Sequence, residues 1–335
     1  MDQPFSPPVA PPDATAPPAP GRDDYSRAAH WFALLATAFT WPLLFVGGLV
    51  TTYKVGMAVP DWPTTFGMNM FLYDMTRAPW GVFGEHTHRL YGAAVGLFTI
   101  LLMVDFLIFG RRRWIKWLGV VALIAVIGQG VLGGMRVRLN STSLAAVHGC
   151  TAQAFFGLMV ALCVWTGRSW LQGGRSPADP ARAGRIGRMS LALLGLVYAQ
   201  ILVGAWLRHY SRVDALWLHA AMAVLVFGHG VATVVAVERS RRDWPELVPA
   251  TRALAATLGV QVALGVAAWW LLRPFDGSSR AVGFYSAMVR TGHQANAGLL
   301  IGAVVVLALR AYQLTGADRP RTTARQPVRA LEAVA

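Results

Sequence analysis

The sequence predicts an all-α membrane protein of eight transmembrane helices. Three observations carry that expectation: the scarcity of charge, the length of the apolar runs, and the placement of the basic residues. Of 335 residues, 55% are hydrophobic and only 14% charged, whereas a soluble domain carries nearer a quarter. Eight apolar runs approach or exceed the roughly 20 residues that cross a bilayer as helix. They are Trp31 to Thr52, Leu90 to Phe109, Trp114 to Leu132, Leu144 to Trp165, Leu191 to Leu207, Ala215 to Val237, Leu254 to Leu272 and Ala295 to Leu309. Strands and open loops would strand backbone polar groups in lipid, so these runs read as helices.

The net charge of +14 invites a nucleic-acid reading, but its distribution argues against one. The basic residues sit in short loops between apolar runs. With eight spans, one side receives 20 Lys and Arg, the other nine, and Arg89 lies within a helix. The positive-inside rule then puts both termini in the cytoplasm of a cell whose inner membrane holds the chain. Cys150 and Cys163 lie in one run, thirteen positions apart, and cannot pair. No C-x-x-C-H is present, which excludes covalent c-type heme attachment. The amino terminus lacks a basic n-region, so no cleavable signal peptide is expected.

Residues 1–27 hold eight prolines and little apolar material, so they are expected to form a disordered tail. The same holds for 314–335. Between the tails the chain reads as two four-helix bundles, 28–167 and 189–313, joined by a cytoplasmic loop over 168–188. A Gln-x-x-x-Gly pattern recurs at Gln129–Gly133, Gln200–Gly204 and Gln261–Gly265. A histidine stands early in every second helix: His88, His148, His219 and His293. Both halves start from the same side. They are therefore expected to be parallel repeats about a pseudo-twofold along the membrane normal.

Every even-numbered helix starts on the predicted outer face, so the four histidines lie at one depth near it. Ionisable groups inside lipid are costly and mark function. Neutral imidazole is a strong axial ligand for iron, and facing helices of a bundle are where such sites are built. The simplest pairing is His88 with His148 and His219 with His293, one heme site per half. The segment Glu85-His86-Thr87-His88-Arg89 adds a second signal with two readings. Glu85 and Arg89 are spaced for an i,i+4 ion pair. Alternatively Glu85, one turn from His88, faces whatever His88 binds, and Arg89 pairs a heme propionate. The matching segment Leu216-Trp217-Leu218-His219-Ala220 keeps the histidine and loses both acid and arginine. One half then reads as a reaction site and the other as an electron-handling site. His86 is expected at the interface, His30, His209 and His229 in structural roles, and Asp105 beside the Arg111 cluster. A single E-x-x-H falls short of a di-iron bundle, which needs two such motifs and two more carboxylates.

The pattern resembles the heme A synthase family, eight-helix enzymes that oxidise a methyl group of heme O to a formyl group. The stretches that carry the resemblance are Gly47-Gly48-Leu49-Val50 with Pro60-Asp61-Trp62-Pro63, Glu85 to Leu90, Gln129-Gly130-Val131-Leu132-Gly133-Gly134, and the histidines of the fourth, sixth and eighth helices. It covers about residues 30–312. The resemblance implies that His88 and His148 flank the substrate heme O and that Glu85 is the catalytic carboxylate. It also implies that His219 and His293 hold a permanent heme b, and that all four histidines are axial iron ligands. The partners it implies are the protoheme farnesyltransferase that makes heme O and a heme-copper oxidase downstream. Many members carry a cysteine pair in the first outer loop; this sequence has none there. The rival readings are a diheme cytochrome b that only carries electrons or heme, and a transporter. A transporter would show helices broken near the midplane, and no run here carries a clear Pro-Gly break.

Overall fold

In the computed structural model, which describes residues 26–171, 179–272 and 282–315, the eight runs form eight long helices. They are α1 (Arg27–Thr52), α2 (Trp80–Phe109), α3 (Arg113–Arg138), α4 (Thr142–Thr166), α5 (Pro180–Tyr210), α6 (Val213–Glu238), α7 (Val248–Leu272) and α8 (Phe284–Leu314). All eight are long and apolar enough to cross a membrane. Their surface agrees: Leu97, Ile124, Val224 and Val266 lie exposed along the middle of the helices. An apolar belt of that extent belongs against lipid rather than water. Trp31, Trp114 and Trp117 stand exposed at one end, Trp80, Trp217, Trp269 and Trp270 at the other, where amphipathic rings meet the two interfaces.

Side-chain caps start three of the helices. Ser26 Oγ accepts from Ala29 N at 3.1 Å, Ser141 Oγ from Leu144 N at 3.2 Å, and Asp179 from Arg182 N at 3.0 Å. Each satisfies a backbone donor that the first turn leaves open. Ser26 also donates to Asp105 Oδ1 at 3.0 Å, which ties α1 to the far end of α2. Asp105 shares a cavity there with Arg111 and Arg112.

The helices run beyond the predicted apolar runs, α2 starting at Trp80 rather than Leu90 and α8 at Phe284 rather than Ala295. The linking segment holds a short helix, Arg168–Leu171, and α5 begins at Pro180 rather than after Arg188. Hydropathy sees only the part of a helix that lies in lipid. Proline at the first helical position needs no hydrogen-bonded N–H, so the helix extends past the bilayer through Arg182, Arg185 and Arg188. The predicted tails fall almost wholly on residues 1–25 and 316–335, outside the described residues, although Arg27 and Leu314 are already helical.

α1, α2, α3 and α4 pack in sequence with α4 returning to α1, and α5, α6, α7 and α8 do the same. The halves meet through α8 against α1 and α4, and through α4 against α5. α8 is the most enclosed span: Ala295, Ala297, Gly298, Gly302 and Ala303 are among its buried residues. Between helices in lipid, small residues permit close approach. A Cβ on Gly298 would meet Leu44 of α1 at 3.1 Å and Gln153 of α4 at 2.9 Å. Polar pairs cross the same seam, with Gln153 Nε2 donating to Gln294 O at 3.0 Å and Trp41 Nε1 to Ala295 O at 3.2 Å.

Candidate functional site: two imidazole pairs and a clamped loop

The odd helices supply glycines and the even helices supply histidines, all toward the end that carries the loop 53–79. A Cβ placed on Gly47 would lie 2.7 Å from His88 Cε1, on Gly133 3.3 Å from His148 Cε1, on Gly204 2.9 Å from His219 Cε1, and on Gly265 3.1 Å from His293 Cε1. Each imidazole thus abuts, with Cε1 nearest, a helix backbone that only glycine exposes. The residue four before each glycine supplies the backbone that faces the ring. For His293 this is a hydrogen bond between Nδ1 and the Gln261 carbonyl at 3.1 Å. For His88, His148 and His219 the equivalent backbone belongs to Leu43, Gln129 and Gln200, and their Nδ1 atoms stop short of full hydrogen-bond geometry. A carbonyl at Nδ1 orients a ligating histidine and leaves Nε2 to the metal. The Gln-x-x-x-Gly pattern is therefore a seat for imidazole.

The seated rings come together in pairs. His88 and His148 have centroids 6.3 Å apart with planes at 85°, and His219 and His293 have centroids 6.1 Å apart at 70°. Metal–imidazole bonds of about 2 Å on opposite faces of one iron place two axial ring centroids roughly 6 Å apart. Among the described residues no cluster of three or more His, Cys, Asp or Glu side chains stands ready for a metal. Two ligands are what an iron already held by a porphyrin takes, whereas a bare zinc takes four side chains in a closed site. The pairs therefore fit heme iron.

Around the first pair, three motif stretches converge. Asp61 of Pro60-Asp61-Trp62-Pro63 closes the loop, accepting from Phe66 N at 2.8 Å, from Gly67 N at 2.9 Å and from the Thr64 hydroxyl. Gly67 takes φ +76°, a conformation that suits glycine. Partial burial pushes the Asp61 carboxyl up, but the bonds from Gly67, Thr64 and Phe66 outweigh it and hold the carboxyl at about 2. The Trp62 ring lies against Gly134, where a Cβ would collide with it. Glu85 and Arg89 fasten this loop to α2. Glu85 Oε2 accepts from Val59 N at 3.0 Å and its Oε1 from Arg89 Nη2 at 2.9 Å. Arg89 also donates to the carbonyls of Thr64 at 2.8 Å and Val59 at 2.9 Å. Both carry the i,i+4 ion pair that their spacing predicts, with side chains 2% and 8% exposed.

Arg89 directs Nη1 and Nη2 to Glu85 and the loop backbone. That geometry corrects one expectation. His86 is not interfacial: it is 1% exposed, lies within 3.2 Å of the Thr65 hydroxyl through Nδ1 and rests against Tyr73 at 5.2 Å. Its position two residues from His88 turns it under the loop. The remaining histidines have local partners, His30 with Thr166 at 3.0 Å and His229 with the Met189 carbonyl at 2.9 Å. His209 lies within electrostatic reach of Arg208 and Arg136. What sequence reasoning missed is those loop-end arginines, Arg136, Arg208 and Arg290. They entered only as outer-side charges, although each stands three or four residues from a glycine or histidine of the site.

The fold and site define a multi-pass membrane protein with two imidazole pairs set for axial ligation at one end of an eight-helix bundle. Residues 29–217, more than half of the chain, match the cytochrome oxidase assembly protein family, and the chain belongs to it. It is similar to the heme A synthase of Hyphomonas neptunium, 26% identical over 210 residues, 52% of this chain and 57% of that protein. It is also similar to the heme A synthases of Listeria monocytogenes serotype 4a and Listeria innocua serovar 6a. Each is 30% identical over 137 residues, 40% of this chain and 43% of the relative. The chain thus matches about half the length of these curated relatives. Glu85, His88, Arg89 and His148 fall inside the family match; His219 and His293 lie beyond its end.

Proposed function

We propose that this protein is a membrane oxidoreductase that converts heme O to heme A for a heme-copper oxidase. The observation that carries the reading is the asymmetry of two otherwise alike imidazole pairs. Only the His88–His148 pair has a carboxylate one helical turn away, at Glu85. In this reading His88 and His148 hold the substrate heme O, and His219 and His293 hold a resident heme b that relays electrons. The protoheme farnesyltransferase supplies the substrate. The two rings of helices act as repeats about an axis along the membrane normal. The charge balance puts both termini in the cytoplasm and both pairs near the outer face of the plasma membrane.

The residues divide the work. The glycine seats hold each imidazole beside its partner ring. The loop, tied down by Glu85 and Arg89 and by Trp62 on Gly134, covers the outer side of the first pair and limits water there. Glu85 accepts a proton, or stabilises positive charge, as the methyl carbon is oxidised. A positioned carboxylate in a low-dielectric site can do either. Arg89 holds that carboxylate in position through its hydrogen bond to Oε1, while its contacts to Val59 and Thr64 keep the loop in place.

Glu85→Gln tests the assignment. The amide keeps an acceptor for the Val59 N–H, so the loop stays seated. Heme A formed per protein is expected to fall by about a hundredfold or more, with heme b content unchanged. Wild-type yields of heme A from Glu85→Gln would remove Glu85 from the chemistry.

A further inference from the structure

We propose that Arg136, Arg208 and Arg290 are the propionate anchors of the two heme sites, two in the carboxy-terminal half and one in the amino-terminal half. The proposal rests on reading the imidazole pairs as heme sites, and deepens it. Each arginine stands one helical turn from a seat or a ligand, on the side of the loop end. Arg136 follows Gly133 by three residues, Arg208 follows Gly204 by four, and Arg290 precedes His293 by three. Arg290 thus takes in α8 the place that Glu85 takes in α2.

Their surroundings call for an anion. All three are half-buried, and among the described residues none has a carboxylate within ion-pair distance. Arg136 lies close enough to His88 and His148 to act on both, and its guanidinium covers Gly56 of the loop, 2.7 Å from where a Cβ would stand. The buried carboxylate in its reach is Glu85, already bound to Arg89. Arg208 has only Nη2 occupied, donating to the Gly48 carbonyl at 2.9 Å and Thr52 Oγ1 at 2.7 Å. Arg208 and Arg290 are near enough to repel each other, and Arg208 also acts on His293. Half-buried cations in a membrane bundle without counter-charge are costly, and two side by side more so. A heme seated between His219 and His293 with its propionates toward the loop end brings two carboxylates to that place. Arginine takes a carboxylate bidentately.

The count differs between the halves in a way that matches their roles. Among the described residues the carboxy-terminal pair has two arginines without a carboxylate partner, enough for both propionates of a heme that stays. The amino-terminal pair has one such arginine among the described residues, because Arg89 is paired with Glu85, so its heme is held by one propionate and can leave after reaction.

The test uses the full chain, made in heme-deficient cells, purified in detergent and carrying His88→Ala so that only the second pair ligates. It is titrated with ferric protoheme and with protoheme dimethyl ester, whose propionates are masked, reading the bis-histidine Soret band. With about tenfold or more for each charged contact, the parent is expected to prefer protoheme by about a hundredfold. R208Q/R290Q is expected to bind both hemes alike, at the parent's affinity for the ester. An unchanged preference in that variant overturns the proposal. Should the glutamine pair bind neither heme, R208K/R290K, which keeps both charges, is expected to retain most of the preference. A lysine pair that binds both hemes alike would then count against the anchors. Adding His219→Ala should abolish the band. If the parent itself shows no bis-histidine band with either heme, the reading of the pairs as heme sites has failed, whatever the arginines do.

Discussion

His219→Ala is expected to strip the carboxy-terminal half of its heme while leaving the bundle folded. The imidazole of His219 lies on Gly204, with its Nδ1 facing the Gln200 backbone without completing a hydrogen bond. Removing a buried polar atom that lacks a full partner relieves a penalty of about 1–3 kcal/mol. Alanine is also the better helix former. Those gains offset the small cavity, so stability should stay near the parent's. Ligation has no such substitute, since His293 at 6.1 Å cannot hold both faces of one iron. Heme b per protein, read as the pyridine hemochrome, should fall by more than about tenfold, with the helical circular dichroism unchanged. The mirror experiment separates the halves: His148→Ala should leave heme b in place and stop heme A formation. Full heme b in His219→Ala would mean that this pair is not the resident site.

Gly47→Ala should be nearly as damaging, although by helix propensity it ought to help. In an ordinary helix interior, alanine for glycine gains up to about 1 kcal/mol. Here the new methyl would stand 2.7 Å from His88 Cε1 and 3.2 Å from Nδ1. The ring has to tilt off its seat and carry Nε2 away from His148. A misplacement near 1 Å at a reacting centre costs about a hundredfold in rate, and heme A formed per protein should fall accordingly. Gly130→Ala is the matched control. Gly130 belongs to the same motif family of glycines, yet a Cβ there meets nothing within 4 Å. It should behave as wild type or slightly more stable. Equal losses in both variants would show that helix backbone freedom, not the imidazole seat, is what these glycines provide.

The eight spans were legible because lipid imposes one simple rule, a long apolar helix, and every such run obeys it. The two histidine pairs were legible because ionisable groups in apolar helices at matched positions stand out. The Glu85–Arg89 pair was legible as one of two readings from its spacing, and the structure forms the ion pair. What escaped depends on contacts between distant segments. The glycines of Gln-x-x-x-Gly register as a pattern in sequence, but their use appears only when an imidazole from the next helix lies on them. α1 shows the limit, since Leu43–Gly47 does the same work without the glutamine. His86 was misplaced because nothing in a loop of mixed composition announces that Thr65 will fold back onto α2. Arg136, Arg208 and Arg290 were counted as loop-side charges because topology rules weigh only the side of the membrane, not the depth of the side chain. The start of α5 at Pro180 escaped because hydropathy ends where lipid ends.

The most direct measurement of the central claim is chromatography with mass detection of non-covalent hemes. They would be extracted from cells that make this protein together with a heme O source and no other heme A synthase. Heme A is expected only when the intact protein is present, and is expected to vanish in Glu85→Gln while heme b persists. Heme b copurifying with unconverted heme O from the intact protein would contradict the account, and would make the two imidazole pairs those of a diheme carrier.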